Sequence, residues 1–288
     1  MYAESKERSR ATRRLFFLER PWYSAKMDWK HESEIVQEAI AIAGAEALHY
    51  AKTGFDTHTK ADRSPVTTAD LAVNRLLQTR LLDAFPDDGW LSEESPDEPA
   101  RLDKHRVWVI DPIDGTSAFI KGEPEFCISV ALVVDGRPVV AAVLNPSTAE
   151  MYTAVQGDGL RLNGASVFPA ISRVNGQSTV AFGHWEQRLG RFGNIEPQVH
   201  SRLMRSIAWA MALAASGHID AVATFESQNE WDIAAGSLLI EEAGGMARDG
   251  AGQTLRFNQP VPRYRGLIAT SRHCPEALAR QIRSLSPS

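Results

Sequence analysis

The pattern of hydrophobic and polar positions changes its period several times along the chain. Apolar residues at helical spacing predict amphipathic helices, whereas short β-branched runs bounded by glycine or proline predict strands. An Asp135-Gly136 turn between two apolar runs predicts an antiparallel hairpin. In chain order we predict helices at 32–50 and 70–85, strands at 90–92, 108–110, 127–134, 138–144 and 151–155, a strand at 179–182, a helix at 207–216, a strand at 219–224, a helix at 231–243, a strand at 266–270 and a helix at 274–284.

The two halves of the chain differ in how these elements follow one another. The first half contains two helices and a run of hairpin-connected strands, and residues 57–68 and 96–106 are interpreted as loops. In the second half strands alternate with helices, which favours a mixed α/β layer. We therefore predict a mixed α/β or α+β fold with an N-terminal half at 27–170 and a C-terminal half at 171–288.

Composition narrows the class of protein. The 288 residues are 43% hydrophobic, enough for a large core, and the formal net charge of −5 argues against a general nucleic-acid surface. No apolar run reaches the roughly 18 residues of a membrane span. Two cysteines, Cys127 and Cys274, make neither a disulfide framework nor a thiolate metal site, so we expect a reducing cytoplasm. Residues 1–26 are basic, and we expect a disordered tail there.

One stretch, residues 108–117 (WVIDPIDGTS), concentrates chemistry at a predicted strand end. Asp111 and Asp114 stand three residues apart around Pro112, and Thr116-Ser117 begin a helix-like segment. Carboxylates bind hard cations, and free N–H groups at a helix start bind anions, so Mg²⁺ plus phosphate fits both. The alternative is an ordinary Asp-rich turn in which Thr116 or Ser117 caps a helix.

Three further acids stand at predicted element boundaries. Asp70 begins a helix, Glu93 follows a strand, and Asp232 follows Trp231 at the start of another helix. Taken singly, Asp70 and Asp232 could be helix caps and Glu93 a solvated charge. Together with the DPIDGTS stretch they favour a single site.

These motifs resemble those of the inositol monophosphatase family of Mg²⁺-dependent, lithium-sensitive phosphomonoesterases. The resemblance rests on Glu93-Glu94-Ser95, on 108–117 and on 231–236, with support from 64–70, and it extends from about 34 to 270. It implies a layered αβαβα sandwich of the sugar-phosphatase type, and family members are often homodimers.

The resemblance also implies roles for individual residues, with two to three Mg²⁺ per active site. Glu93, Asp111 and the Ile113 carbonyl would hold one ion, and Asp111, Asp114 and Asp232 a second. Asp70 and Glu93 would hold a weaker third ion. Asp70 and Thr116 would activate water, and Gly115, Thr116 and Ser117 would bind phosphate.

The substrate is less defined than the metal site. The sequence around Lys60 looks closer to nucleotidases acting on adenosine 3′,5′-bisphosphate and to histidinol phosphatases than to inositol-selective members. We expect adenosine 3′,5′-bisphosphate or inositol 1-phosphate as substrate, with histidinol phosphate as the alternative. Substrate contacts are assigned to four residues: Lys60, Glu226, Glu230 and Arg205. A hypothesis of another class is a regulatory binding protein that acts on nucleic-acid machinery through the basic N-terminal arm.

Overall fold

The computed structural model describes residues 28–190, 192–193, 195 and 199–285. The basic tail expected at 1–26 lies outside these residues. The α-helices of the described chain are α1 Lys30–Thr53, α2 Thr68–Ala84, α3 Thr116–Ile120, α4 His184–Arg188, α5 Ile207–Ala215, α6 Glu230–Glu242 and α7 Glu276–Ser284. The strands are β1 Thr57–Thr59, β2 Pro65–Thr67, β3 Gly89–Ser92, β4 Arg106–Asp114, β5 Cys127–Val134, β6 Arg137–Asn145, β7 Glu150–Val155, β8 Gly159–Leu162, β9 Ala165–Ser166, β10 Ser178–Phe182, β11 Val199–Leu203, β12 Ala221–Asn229, β13 Met246–Asp249 and β14 Arg263–Thr270.

A seven-stranded sheet carries most of the first half, in the order β3-β4-β5-β6-β7-β8-β9. Its pairings are antiparallel as predicted, except that β3 runs parallel to β4. The segment interpreted as a loop at 57–68 holds the short antiparallel hairpin of β1 and β2. The prediction failed there because each strand has only three residues and β1 is polar and wholly exposed, so the segment shows no hydrophobic alternation. The other predicted loop, 96–106, contains a 3₁₀ turn at Pro99–Asp103.

The second sheet has five strands in the order β11-β10-β12-β14-β13. The sequence analysis missed β11 and β13, which are the two edges of this sheet. Edge strands bury little surface, and the exposed or half-buried residues of β11 give no apolar run.

Packing between the elements produces the αβαβα layers that the family resemblance implied. Helices α1 and α2 cover one face of the seven-stranded sheet. Helices α5 and α6 fill the space between the other face of that sheet and the five-stranded sheet. The far face of the five-stranded sheet packs on α7. None of the described helices is long and apolar enough to cross a membrane.

Glu230, at the start of α6, ties this helix to the segment before β14. Its side chain is fully buried, and its two carboxylate oxygens accept the backbone N–H groups of Asn258 at 2.6 Å and Gln259 at 2.9 Å. Arg101 clamps the same segment by donating to the Asn258 side chain at 2.7 Å and the Gln259 carbonyl at 3.0 Å. Glu230 is therefore a structural acid, and its assignment as a substrate contact is wrong, because neither oxygen faces solvent.

This role predicts the effect of substitution on stability. Glu230→Ala leaves two buried N–H groups without acceptors, so we expect the free energy of unfolding to fall by about 1–3 kcal/mol in urea titrations. Glu230→Gln is the control, because it keeps one acceptor oxygen and should lose less. An Ala variant as stable as the parent would contradict the assignment.

Candidate active site

A β-bulge sets the direction of the two central aspartates. Asp111 of β4 pairs with Ser129 of β5, and Asp114 pairs with Cys127. The two aspartates are three residues apart on β4, whereas their partners are two residues apart on β5, so β4 contains one extra residue. In a regular strand, residues three apart point to opposite faces. The extra residue reverses that alternation, and both carboxylates face the same cleft. The sequence analysis placed these acids on a turn after the strand; the structure places them within the bulged strand.

The cleft opens between the two sheets and has a volume of about 330 Å³. Four of the predicted metal ligands line it as carboxylates, and a fifth, Ile113, lines it beside them. The acids are Glu93, Asp111, Asp114 and Asp232. They come from the end of β3, from β4 and from the first turn of α6. The structure therefore brings together residues that are up to 139 positions apart in the chain.

Asp70 and Asp232 occupy equivalent positions in their helices. Both are the third helical residue of a capping box, in which Thr67 caps α2 and Asn229 caps α6. The Thr67 N–H donates to Asp70 Oδ2 at 2.8 Å, and the Asn229 N–H donates to Asp232 Oδ2 at 2.7 Å. Neither aspartate is the cap itself, contrary to the simplest sequence interpretation. Each backbone contact fixes one oxygen and thereby orients the carboxylate.

Asp114 is fixed by the start of α5. Its Oδ2 accepts the Ser206 hydroxyl at 2.6 Å and the Ala208 N–H at 2.7 Å. Ser206 also caps α5 by accepting the Trp209 N–H at 3.1 Å. The sequence analysis missed this residue, although a serine directly before an alanine-rich helix is a recognisable capping signal.

The carboxylates of the cleft raise one another's pKa. Burial raises the pKa of Asp111 well above its usual value, and Glu93, Asp114 and Asp232 raise it further. Burial likewise raises the pKa of Asp114 to about 7, against the hydrogen bonds from Ser206 and Ala208. Asp232 is shifted in the same direction by burial, Asp114 and Glu93. Such a group of buried acids is most stable when protons or a cation neutralise it.

Lys60 supplies one cation at the rim of this group. Its ammonium lies 2.7 Å from Glu93 Oε1 and 2.6 Å from Glu94 Oε1. Burial alone would lower the pKa of Lys60, but the two glutamates raise it. The residue was assigned as a substrate contact from its sequence. In the structure its ammonium instead forms an ion pair with Glu93, a predicted metal ligand.

The predicted catalytic pair, Asp70 and Thr116, is in contact. Thr116 Oγ1 lies 3.2 Å from Asp70 Oδ1 and 3.0 Å from the Ile113 carbonyl oxygen, and Thr116 lines the cleft. Asp70 lies behind it and is 1% exposed. Burial raises the pKa of Asp70 although hydrogen bonds from Thr67 lower it.

The predicted phosphate-binding residues divide into two groups. Gly115 and Thr116 line the cleft, whereas Ser117 is exposed and is not among the described lining residues. Gly115 has φ +92°, and a Cβ there would lie 3.0 Å from the Glu125 carbonyl oxygen. Glycine is therefore required to bring this backbone against its neighbour.

Two predicted substrate contacts also line the cleft. Glu226 and Arg205 both line it, together with Thr224 and Gln228. Arg205 Nε lies 3.3 Å from Glu123 Oε2. Arg205 is the one basic side chain among the described lining residues.

The donor set fits Mg²⁺ in its chemistry. Every candidate ligand is a carboxylate or carbonyl oxygen, and the mutual repulsion of the acids would be relieved by a divalent cation. Within the described chain, no three His, Cys, Asp or Glu side chains already form a tight cage. Protein donors hold the acids in their present directions: Lys60 for Glu93, Ser206 for Asp114 and the Asn229 N–H for Asp232.

Comparisons with known proteins agree with this geometry. The model of the inositol monophosphatase family matches residues 28–286. A histidinol-phosphatase of Chlorobaculum parvum is 33% identical over 226 residues, covering 76% of this chain and 86% of the relative. An inositol-1-monophosphatase of Rhizobium meliloti is 32% identical over 233 residues, covering 77% and 84%.

A solved structure shows the same fold. The extragenic suppressor protein suhB of Bartonella henselae superposes with a TM-score of 0.77 at 25% identity, over 88% of this chain and 98% of that one. The family model matches nearly the whole described chain, and both relatives are more than 30% identical to it. The chain belongs to the inositol monophosphatase family, whose members are phosphatases that hydrolyse phosphomonoesters.

Proposed function

We propose that the chain is a Mg²⁺-dependent phosphatase that hydrolyses a small phosphate monoester by attack of water in this cleft. The observation that carries the proposal is the convergence of Glu93, Asp111, Asp114 and Asp232 on one cleft beside Thr116. A binding protein would not require this many buried and half-buried acids around one cleft, where Glu93, Asp114 and Asp232 raise the cost of ionising Asp111. The enzyme reading therefore has more support than the regulatory one.

The acids would hold the metal ions, with Asp111 shared between two of them. When bound, Mg²⁺ would neutralise phosphate charge and make a bound water more acidic. Ser206, the Ala208 N–H and the Asn229 N–H keep Asp114 and Asp232 directed into the cleft. Because these contacts hold each ligand before substrate arrives, little reorganisation is needed during the reaction.

Asp70 and Thr116 would orient and deprotonate the attacking water. Thr116 lines the cleft and lies within hydrogen-bond distance of the buried Asp70 carboxylate. A hydroxyl that donates to Asp70 presents its lone pairs to the cleft, where water can donate to it. Gly115 and Thr116 backbone N–H groups would bind the phosphate on the same side, and Ser117 would contribute only through its backbone.

The charges of Glu226 and Arg205 in the cleft lining bear on the choice of substrate. Glu226 is acidic there, and the nearby Arg205 charge is partly matched by Glu123. A second phosphate on the substrate would therefore meet little net positive charge. This charge distribution favours inositol 1-phosphate or histidinol phosphate over adenosine 3′,5′-bisphosphate.

The free thiols of Cys127 and Cys274 agree with a reducing compartment, and we propose the cytoplasm.

Removal of the shared ligand tests the proposed chemistry. Asp111→Asn should lower the rate of phosphate release with Mg²⁺ by about 10³-fold or more, because it removes a ligand of both ions. The matched control is Asp103→Asn, at an exposed position outside the cleft. In EDTA the Asp111→Asn variant should be at least as stable as the parent, because a buried charge is lost. Near-normal turnover in a folded variant would refute the two-ion assignment.

A substrate panel tests the preference for a single phosphate. The panel contains inositol 1-phosphate, histidinol phosphate, adenosine 3′,5′-bisphosphate and fructose 1,6-bisphosphate, each assayed with Mg²⁺. We expect the best monophosphate to exceed both bisphosphates by about 10- to 100-fold in kcat/KM, equivalent to roughly 1.4–2.7 kcal/mol. A bisphosphate that reacts fastest would contradict the charge argument.

A further inference from the structure

The turn that carries Glu93 is bonded at both ends to one buried side chain, the amide of Asn74. This residue lies on α2 and is 4% exposed. Its Oδ1 accepts the Ser92 hydroxyl at 2.7 Å, and its Nδ2 donates to Ser95 Oγ at 2.9 Å. The same Nδ2 lies 3.4 Å from the Glu94 carbonyl oxygen. One side chain therefore bonds to the residue before Glu93 and to both residues after it.

The surrounding hydrogen bonds determine which end of the Asn74 amide faces which serine. Ser92 Oγ accepts the Glu94 N–H at 3.4 Å and donates its own hydrogen to Asn74 Oδ1. Ser95 Oγ accepts the Trp90 indole N–H at 3.1 Å, in addition to the Asn74 amide. An aspartate at this position would lack the donors, and an alanine would lack donors and acceptor alike. The network therefore uses both halves of the amide.

Helix α2 connects this turn to the predicted catalytic pair. Asn74 follows Asp70 by four residues, so the two side chains lie on the same face of the helix, one turn apart. Asp70 contacts Thr116 at the cleft, while Asn74 bonds to the turn that carries Glu93. Burial raises the pKa of Asp70, and the nearby Glu93 adds to that rise. One helix thus holds both acids that the family resemblance assigns to a shared ion.

Glu93 depends on a fixed backbone more than the aspartates of the cleft do. The carboxylates of Asp114 and Asp232 accept backbone N–H groups, which orient them directly. The Glu93 carboxylate instead accepts the ammonium of Lys60, at the end of a long and flexible side chain. Glutamate also has one more rotatable bond than aspartate. The direction of Glu93 therefore depends on the turn at 92–95 from which its side chain leaves.

We propose that Asn74 is a positioning residue for the cation site: it closes the turn at 92–95 and thereby presents Glu93 to the ions that this acid would hold. The inference rests on the proposed function, because it takes the acids of the cleft to be ligands of Mg²⁺. It deepens that function by assigning part of the metal affinity to a residue that touches neither metal nor substrate.

A purely structural role for Asn74 predicts a different outcome. Loss of a buried amide lowers the free energy of unfolding whether or not Glu93 binds a cation. The protein that remains folded would then bind metal as the parent does. A positioning role predicts that the folded variant itself binds the Glu93-dependent ion more weakly. Metal affinity and stability must therefore be measured separately.

Calorimetric titration of the metal-free protein with Mn²⁺ measures the affinity without requiring turnover. Glu93→Gln identifies the binding step that depends on Glu93. Asn74→Ala should weaken that same step by about 10-fold and leave the other step within about 2-fold of the parent. In the double variant the Asn74 replacement should add little, because its effect passes through Glu93. Unchanged Mn²⁺ affinity in Asn74→Ala, or losses that add in the double variant, would overturn the proposal.

Two further variants separate positioning from folding. Ser95→Ala keeps Asn74 but removes its acceptor after Glu93, and should weaken the same Mn²⁺ step by about 3-fold. If Asn74→Ala does not fold, parent-like affinity in Ser95→Ala would overturn the proposal. Asn163→Ala removes hydrogen bonds with Met151 and Ala149 at the opposite edge of the seven-stranded sheet. It should keep the parent's Mn²⁺ affinity while urea titrations report its loss of stability.

Phosphate release with Mg²⁺ separates this inference from the proposed function. In Asn74→Ala the Mg²⁺ concentration that gives half the maximal rate should rise by about 10-fold, whereas the rate at saturating Mg²⁺ should fall by less than about 3-fold. Hydrolysis by a parent whose Mn²⁺ affinity equals that of Asn74→Ala would retain the phosphatase and overturn the positioning role. An Mn²⁺ affinity that depends on Asn74, in a protein that hydrolyses none of the panel substrates, would support the positioning role and contradict the phosphatase.

Discussion

Electrostatic repulsion among buried carboxylates is the constraint on which this site depends. Asp111 lies next to Glu93, Asp114 and Asp232, and these neighbours add to the effect of burial in raising its pKa. The fold opposes this repulsion with directed hydrogen bonds from Ser206, Ala208 and Asn229, and with the Lys60 ammonium. Such an arrangement stores unfavourable energy that a divalent cation would relieve. The same acids therefore explain both the local architecture and the expected metal dependence.

Local backbone devices give the acids their directions. The bulge in β4 turns Asp111 and Asp114 to one side, and a capping box orients Asp232 at the start of α6. A second capping box places Asp70 behind Thr116. Each device uses the backbone groups that strand irregularities and helix starts leave available. The layered packing of helices and sheets then brings these separate elements to a common cleft.

Much of this arrangement follows from the sequence, because it has local signals. The apolar stripe of α1, the Asp135-Gly136 hairpin and the alternation of the second half predicted the main elements. The DPIDGTS stretch and the separate acids identified the cleft residues. The bulge had no such signal, since it depends on the pairing of β4 with Ser129 and Cys127 of β5. Glu230 was misassigned because its proximity to Asp232 in sequence does not reveal that its side chain points to Asn258 and Gln259.

The surroundings of Gly183 and Thr224 illustrate a second limit. Glu186 belongs to a short helix of five residues with no recognisable motif, and only the fold brings it beside Gly183 and Thr224. Gly183 and Thr224, which complete the lining of the cleft, are brought there by non-local contacts, whereas the predicted metal ligands lie in compact motifs. The predicted metal ligands can therefore be identified from the sequence in more detail than the rest of the cleft lining.

The central claim is that the four acids of the cleft together bind two or three divalent cations. The most direct measurement is anomalous diffraction from crystals soaked in Mn²⁺, an oxygen-preferring ion that stands in for Mg²⁺. The account predicts two or three anomalous peaks in the cleft, of which two share Asp111 as a ligand. Well-ordered crystals with no peak at these acids at millimolar Mn²⁺, or with peaks only elsewhere on the protein, would contradict it.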